Sequence, residues 1–516
     1  ARDVEQAQNN VLSQYLADNR ATEYGERYQF GDINSPSGYQ ERVPLTTYDD
    51  YVEYANRIGA GSKSVLTNEP VRMFELSSGS TAASKLIPYT DRLKSEFQRG
   101  IAPWIYNLYT NMPDLLSGPA YWSITPLMDG KRFTSSGIPI GFESDSEYLG
   151  VFGRWLADAV MAVPNDVKTI SDIDSFRYLT LLHLLRQPEL RLISVWNPTF
   201  LSLLLAALPE WWDRLLMDIK GGTVSIPEVS LQLAPKPELA RMLRTISPMD
   251  YESIWPKLRL ISCWMDGASA SYATQLAEMF PSVAFQGKGL LATEAFVSFP
   301  IVGVEGSVLA VNSHFFEFID DSGDALLAHQ IEKGKTYSVV VTTGGGFHRY
   351  QLQDVIEVIG HWRQTPRIRF LGKADHISDW FGEKLEEQFV ANVLRTVFSK
   401  HYLSPAFAML APDDSNGFRY LLFIESDESN ENLAIDLDDG LRENFHYDYC
   451  RRLGQLGETQ IVQVIDGAET YLRACQARGQ KLGNIKPGIL QKTTGWISWF
   501  RDSDNKKQTR WNRKAR

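Results

Sequence analysis

Cysteine is scarce in this chain: Cys263, Cys450 and Cys475 are the only three among 516 residues. Three thiols without the short paired spacings of metal ligands exclude a disulfide scaffold and a zinc module alike. They fit buried apolar positions in a reducing compartment. Long apolar runs are missing too. The nearest, FLSLLLAALPEWW, carries Ser202, Pro209 and Glu210 and falls short of the roughly 18 residues a membrane span needs. No signal-peptide pattern opens the chain, which starts at Ala1 rather than Met, and the expected location is the cytoplasm. Positive charge is in deficit. A net charge of -11 argues against nucleic acid as the main partner, because phosphate neutralisation needs clustered Lys and Arg. Basic residues gather only at the end, at Lys506, Lys507, Arg510, Arg513, Lys514 and Arg516, which reads as a solvated tail over 501–516. The eight His show no metal pairing; His348, His361 and His376 read as turn or surface residues. No internal repeat is visible.

What is present is an ordinary globular composition, 43% hydrophobic and 22% charged, in a chain too long for one compact core. Residues 1–70 begin helical and run into the polar FGDINSPSGYQERVP. Residues 90–220 read as mostly helical and aromatic, a layer that serves as core or as the wall of a greasy pocket. Tyr121, Trp122, Trp196, Asn197 and Phe200 are the pocket candidates. From 258 onward, LRLISCW reads as a strand and MDGASASYATQLAEMF as a loop entering a helix. VAFQGKGLLATEAFVSFP, SVLAVNSHFFEFI and TYSVVVTTGGG read as further strands. The fold class is α/β, with mostly buried sheets in a large domain over 1–373. A second shift comes near 372. Leu385, Phe389, Val393 and Val397 share one helical face, AFAMLA and YLLFIE make a hairpin with Asn416-Gly417 at its tip, and a helix to about Leu453, the strand TQIVQVI and a helix ending at Gly479 follow. These form a small α+β domain over 374–500.

One loop stands out. FELSSGSTAASKLIPYT sets Ser77, Ser78, Gly79, Ser80 and Thr81 directly after an apolar strand, with Lys85 at the far end. Backbone N–H groups, a permissive Gly and several hydroxyls can cradle a polyphosphate, and a lysine adds compact positive charge. It is not the Walker pattern, because no Gly-Lys-Ser/Thr follows at the required spacing. A Ser-rich turn without function is the competing reading. Companions favour the phosphate. LLATE puts Thr293 and Glu294 at the end of an apolar strand, where the carboxylate can hold Mg²⁺ beside phosphates, although it could equally cap a helix. GGGFHRYQLQDVIEV puts Asp354 just past a Gly-rich turn, suited to ribose hydroxyls or simply to a surface turn. IRFLGKADHI carries Asp375 at the domain junction, and LGNIKPGIL carries Lys486 in a Gly/Pro setting.

In this order, ELSSGSTAASKLIP, GKGLLATEAFVSFP, RYQLQDVIEVIG and the segments LADNRATEYGERYQF and ERVPLTTYDDYVEYANRI resemble the adenylate-forming enzymes. More narrowly, they resemble the Gretchen Hagen family of acyl acid amido synthetases, in wording closer to bacterial members than to plant ones. The resemblance covers nearly the whole chain. It implies an adenylate-forming fold with a mobile small C-terminal domain. It also implies activation of a carboxylic acid by ATP and Mg²⁺, with loss of pyrophosphate and transfer of the acyl group to an amine, usually of an amino acid. By position it assigns Ser77, Ser78, Gly79, Ser80, Thr81 and Lys85 to phosphate, and Thr293 and Glu294 to the α-phosphate and metal. It assigns Asp354 to ribose, Asp375 to the hinge and Lys486 to the adenylation step. The chain departs from the pattern in having Leu290 where an aromatic commonly stacks on adenine, Gln351 and Gln353 in the third motif, and Ala82 and Ala83 in the loop. Three other functions stay open at this point: a Ser/Lys amidase, an acyl-thioester ligase sharing the first half-reaction, and a non-catalytic binding protein.

Overall fold

A computed structural model describes residues 3–77, 85–122, 132–141, 161–170, 172–227, 229–373, 377–378, 380, 383, 385–426, 432–452, 454, 456–480, 485 and 488–501. The chain divides into two compact units, 1–370 and 371–516.

The first unit opens with the helix Val4–Asn19, whose Asp3 side chain accepts the Gln6 N–H, one of the orphan donors of the first turn. A four-stranded sheet follows. Its edge strand Lys85–Tyr89 runs antiparallel to Met73–Ser77 with Ser77 opposite Lys85, so these two residues mark the mouth of the hydroxyl-rich loop. Thr90 caps the long helix Asp91–Asn111, its hydroxyl accepting the Leu93 N–H.

The stretch 90–220 is less purely helical than its composition predicts. It also holds the strands Ala120–Trp122 and Leu192–Ser194. Three-residue buried strands are too short to show a period of two, so the neighbouring helices dominate the pattern. With Leu260–Ser262 and Ala284–Gln286 they form a four-stranded sheet, parallel throughout. Its core is Leu- and Ile-rich and takes in the helices Ile173–Leu185, Pro198–Ala206 and Leu208–Gly221, as a parallel sheet requires. From Ser298 on, seven strands form a third sheet without intervening helices. Its spatial order is Ser298–Ile301, Val304–Leu309, Thr365–Lys373, Tyr350–Trp362, Thr336–Thr342, Phe315–Ile319 and Ala325–Leu327. SVLAVNSHFFEFI is therefore two strands, parted by a turn at 310–314.

The strand Tyr350–Trp362 carries a bulge. Ser338 pairs with Val355 while Val340 pairs with Gln351, so Leu352, Gln353 and Asp354 face Val339 alone, and Gln353 adopts a left-handed φ of 60°. Bulges of this kind re-aim side chains beside functional sites.

The second unit has its own core of Val390, Leu394, Leu410, Leu422, Leu437 and their neighbours. Phe407–Asp413 and Arg419–Glu425 form the hairpin, with Gly417 at a left-handed φ of 72°. Gln460–Gln463 pairs parallel to the second strand, and the helix Gly467–Ala477 follows, with residues 496–501 again helical. Two expectations change. Leu385 belongs to a short strand, Leu385–Glu386, ahead of the helix Glu387–Lys400. The helix expected up to Leu453 is two, Leu433–Leu441 and Phe445–Arg452.

The three cysteines are free and buried. Among the described residues no helix is long and apolar enough to cross a membrane.

Candidate active site

The hairpin mouth is built by apposed aromatics. The Tyr48 hydroxyl accepts the Leu86 N–H at 2.6 Å, and Lys85 Nζ lies 5.6 Å from the centre of the Tyr48 ring, a cation–π arrangement that orients an ammonium group. Ser78, Gly79, Ser80 and Thr81 lie outside the described residues, as do Asp375 and Lys486.

Thr293 and Glu294 sit at the tip of a tight hairpin. Leu290 bonds to Val297 and Ser298, Ala292 bonds to Ala295, and Leu291 opposes Phe296. No helix follows, so Glu294 is not a helix cap. The Tyr89 hydroxyl donates to the Thr293 carbonyl, and the Tyr350 hydroxyl donates to Glu294 Oε1 at 3.1 Å. Burial, then the Glu294 carboxylate, holds the Tyr350 phenol far above its ordinary range. Tyr48 is raised by burial in the first place and also feels Glu294. Tyr48 therefore neighbours both Lys85 and the Glu294–Tyr350 pair, and Glu294, though 7% exposed, is the acidic member.

Asp354 lies on the buried face of the strand that Tyr350 begins, as the last residue of the bulge, and is 1% exposed. It is a strand residue of the interior rather than a surface turn.

The Gly-rich turn before it is tied down from several sides. Gly344 N–H donates to Glu96 Oε2 at 2.9 Å, and Thr90 Oγ1 donates to the Gly344 carbonyl. Gly346 has a φ of 101°, and a Cβ there would meet the Leu66 side chain at 2.7 Å. His314 Nε2 accepts the Phe296 N–H, which puts its proton on Nδ1, 3.0 Å from Glu96 Oε2. Arg349, only 5% exposed, clamps the segment: its Nε and Nη2 donate to the Glu317 carboxylate, and Nη1 donates to the carbonyls of Gln40 and Val43.

His348 corrects the surface reading given to it. It is fully buried, stacked on Tyr24 at 5.0 Å and 13°, with Nδ1 3.2 Å from the Tyr39 hydroxyl. His361 is exposed as expected, and His376 lies outside the described residues. Burial pushes the His348 imidazole down to about 4, offset in small part by the Leu66 backbone. Its folded value is depressed, so between the ordinary value near 6.5 and about 4 only the unfolded chain holds this proton. Stability contributed by neutral His348 is complete above pH 6.5 and is lost as pH falls, by about 3 kcal/mol in all. Urea unfolding between pH 7 and 4 should show that loss in the parent and a shallower one in His348→Phe.

A second cluster occupies the carboxyl ends of the parallel sheet, where ligands of open α/β sheets bind. The last residues of its four strands, Trp122, Ser194, Ser262 and Gln286, are aligned in register. Beside them is Lys288, 4% exposed, whose Nζ donates to Ser194 Oγ at 2.7 Å. The same Nζ lies 5.6, 5.9 and 5.0 Å from the ring centres of Trp104, Trp122 and Trp196. Burial pushes the ammonium down to about 8, against a smaller opposing effect of Cys263. Gly289 must be glycine: its φ is 71° and a Cβ would stand 2.3 Å from the Ser298 carbonyl.

Of the pocket candidates, Trp122 and Trp196 are brought together here. Tyr121 is buried with the Leu-rich core, Asn197 caps the helix Pro198–Ala206 through Thr199 N–H, and Phe200 packs on Phe176. Sequence reasoning missed Lys288, Tyr48, Tyr89 and Tyr350. For Lys288 a signal is present, a lone lysine between two glycines after a strand.

Among the described residues, no group of three or more His, Cys, Asp or Glu side chains could hold a metal ion by itself.

Comparison with known proteins follows the same lines. Residues 1–285 match the GH3 family N-terminal domain, 307–373 the GH3 family central domain and 387–494 the GH3 family C-terminal domain. The probable indole-3-acetic acid-amido synthetase GH3.11 of Oryza sativa subsp. japonica is 25% identical over 95% of this chain and 87% of its own length. Indole-3-acetic acid-amido synthetase GH3.3 of Arabidopsis thaliana is 26% identical over 75% and 70%. Among solved structures, GH3.15 acyl acid amido synthetase superposes with a TM-score of 0.82 at 20% identity, over 97% of this chain and 93% of that one. A 2-hydroxyisobutyryl-CoA ligase in the postadenylation state gives 0.54 at 10% identity, over 92% of each. The structural likenesses speak to the adenylate-forming fold, and the three consecutive domain matches speak to kinship: the chain belongs to the GH3, or Gretchen Hagen, family.

Proposed function

We infer that this protein is an ATP-dependent acyl acid amido synthetase. An oxygen of the acid's carboxylate bonds to the α-phosphorus of ATP while the bond to pyrophosphate breaks. The nitrogen of an amine, most simply of an amino acid, then bonds to the acyl carbon, and AMP leaves as the amine loses a proton. The observation that carries this reading is that Tyr48, at the mouth of the hydroxyl-rich loop, neighbours both Lys85 and the Glu294–Tyr350 pair, in a chain matched by all three GH3 domains.

Carboxylate and ATP are both anions, and each pair of unit charges about 4 Å apart costs roughly 4 kcal/mol at an effective dielectric near 20. In our reading Ser77, Ser78, Gly79, Ser80 and Thr81 donate to the β- and γ-phosphates, and Lys85 offsets their charge. Thr293 lies against the α-phosphate and Asp354 accepts from the ribose. Asp375 is the hinge and Lys486 enters from a mobile second unit for adenylation. Glu294 fits Mg²⁺ as one carboxylate in a site completed by substrate phosphates and water, the usual arrangement for that ion; bound there, Mg²⁺ would neutralise developing phosphate charge. Trp122 and Trp196 face the acid, with Tyr121, Asn197 and Phe200 supporting the pocket from behind. We place the enzyme in the cytoplasm, on the strength of three buried free thiols, as a monomer acting on small molecules, without nucleic acid or membrane. Its motif wording favours a bacterial secondary pathway, although the curated relatives named above are plant enzymes.

Pyrophosphate release over a panel of aromatic and aliphatic acids, with amino acids or a thiol as acceptor, tests the reading. Release stimulated by amino acids, with an amide as product, is expected; a product formed only with thiol would instead make it a thioester ligase. Lys486→Ala should slow adenylation about 10²–10³-fold and leave the fold intact. An unchanged rate would remove that lysine from the mechanism.

A further inference from the structure

The Lys288 cluster has features that apolar packing does not require. A buried ammonium is costly unless it is paired, and among the described residues no acidic side chain forms a salt bridge with it. Only one of its three N–H donors is accounted for, by Ser194 Oγ. Ser262, aligned with Ser194 on the adjacent strand, is 2% exposed, and its hydroxyl has no hydrogen-bond partner among the described residues. Trp122 and Trp196 are half-buried, so the cage they form around Nζ opens outward. A cation, an unused hydroxyl and aromatic walls together make a receptor for an oxygen acceptor carried on an apolar body.

Placement decides which acceptor. Lys288 stands at the foot of the hairpin whose rungs join Leu290 to Ser298 and Ala292 to Ala295, and whose tip is Thr293–Glu294. From Leu290 to Thr293 the hairpin runs three residue steps, roughly 10 Å at about 3.3 Å per residue, and the left-handed turn at Gly289 lies between Leu290 and Lys288. The carboxyl group undergoing activation belongs at the tip, with the phosphates. A group that meets Lys288 therefore belongs to the opposite end of the acid.

We propose that Lys288, with Ser194 and Ser262, selects acyl acids that carry a second oxygen acceptor, a hydroxyl or carboxylate, on an aromatic body distal from the reacting carboxyl group. This rests on the synthetase reading above for the identity of the ligand, and not for the subsite itself. The probes are 3-phenylpropanoate, 3-(4-hydroxyphenyl)propanoate and 3-(4-carboxyphenyl)propanoate. Their binding is followed by calorimetry without ATP, and their kcat/KM by pyrophosphate release.

The parent protein should prefer the two substituted acids by about 10- to 100-fold, the range expected for hydrogen bonds to a charged donor. Lys288→Met should abolish that preference mainly through KM, with 3-phenylpropanoate as good a ligand as before or better. Ser262→Ala, which keeps the lysine, should narrow the preference and serves if the methionine variant fails to fold. An equal loss for all three acids would place Lys288 on the reacting carboxylate and overturn the proposal. So would an unchanged preference in both variants, or a parent that favours the unsubstituted acid. Calorimetric preference without any pyrophosphate release would uphold the subsite and sink the synthetase reading instead.

Discussion

Glu294→Ala is expected to slow acid-dependent pyrophosphate release by about 10²–10³-fold, the effect of removing one electrostatic group aimed at developing charge. The reasoning begins with position. Glu294 is held at a hairpin tip in a largely buried setting, with Tyr350 on one oxygen and Tyr48 nearby. A carboxylate kept there among phenols does little for packing, and its charge is of use only to a cation or a donor brought by the substrate. Tyr350→Phe provides the contrast. It removes the hydrogen bond while leaving the carboxylate, so its rate should fall by no more than about tenfold, in line with one neutral donor. If both variants lose activity equally, Glu294 acts only through Tyr350, and its assignment to the α-phosphate side of the reaction fails.

The largest loss of stability is expected from Arg349→Met. This replacement leaves the Glu317 carboxylate, itself 1% exposed, without its bidentate partner. It also strips a donor from the carbonyls of Gln40 and Val43. Removing one partner of a buried pair costs about 3–5 kcal/mol, because the remaining charge stays desolvated. Replacing both partners, Arg349→Met with Glu317→Leu, should recover much of that, since apolar residues of similar volume often match a buried pair. Denaturant unfolding, read separately for each compact unit, checks the order parent, double variant, single variant. Should the double variant be the least stable, the clamp works through its carbonyl contacts rather than through charge.

Some of this structure is legible in the sequence and some is not, for physical reasons. The strands LRLISCW and TYSVVVTT and the hairpin around Asn416-Gly417 are legible, because short apolar runs bounded by polar turns and a left-handed turn residue carry their own signal. The composition change near 372 stands close to the division after Phe370. Strands of three residues, such as Ala120–Trp122, leave no periodic trace. His348 reads as a turn residue because its neighbours Gly346 and Arg349 do form a turn. Its burial comes from Tyr24 and Tyr39, more than 300 residues away along the chain, and no local pattern encodes that. Lys288 was hidden likewise: a lysine looks solvated until three tryptophans from separate elements close around it.

The bulge in Tyr350–Trp362 governs what lengths this strand can take. Its excess over the partner strand is two residues, an even number, so inward and outward positions keep alternating from Tyr350 through Leu352, Asp354 and Ile356 to Val358. Excising a single residue there would turn Asp354 or Tyr350 to the opposite side, whereas excising a pair would keep both inside and merely flatten the ribbon. Natural length variants of this segment should thus differ by twos.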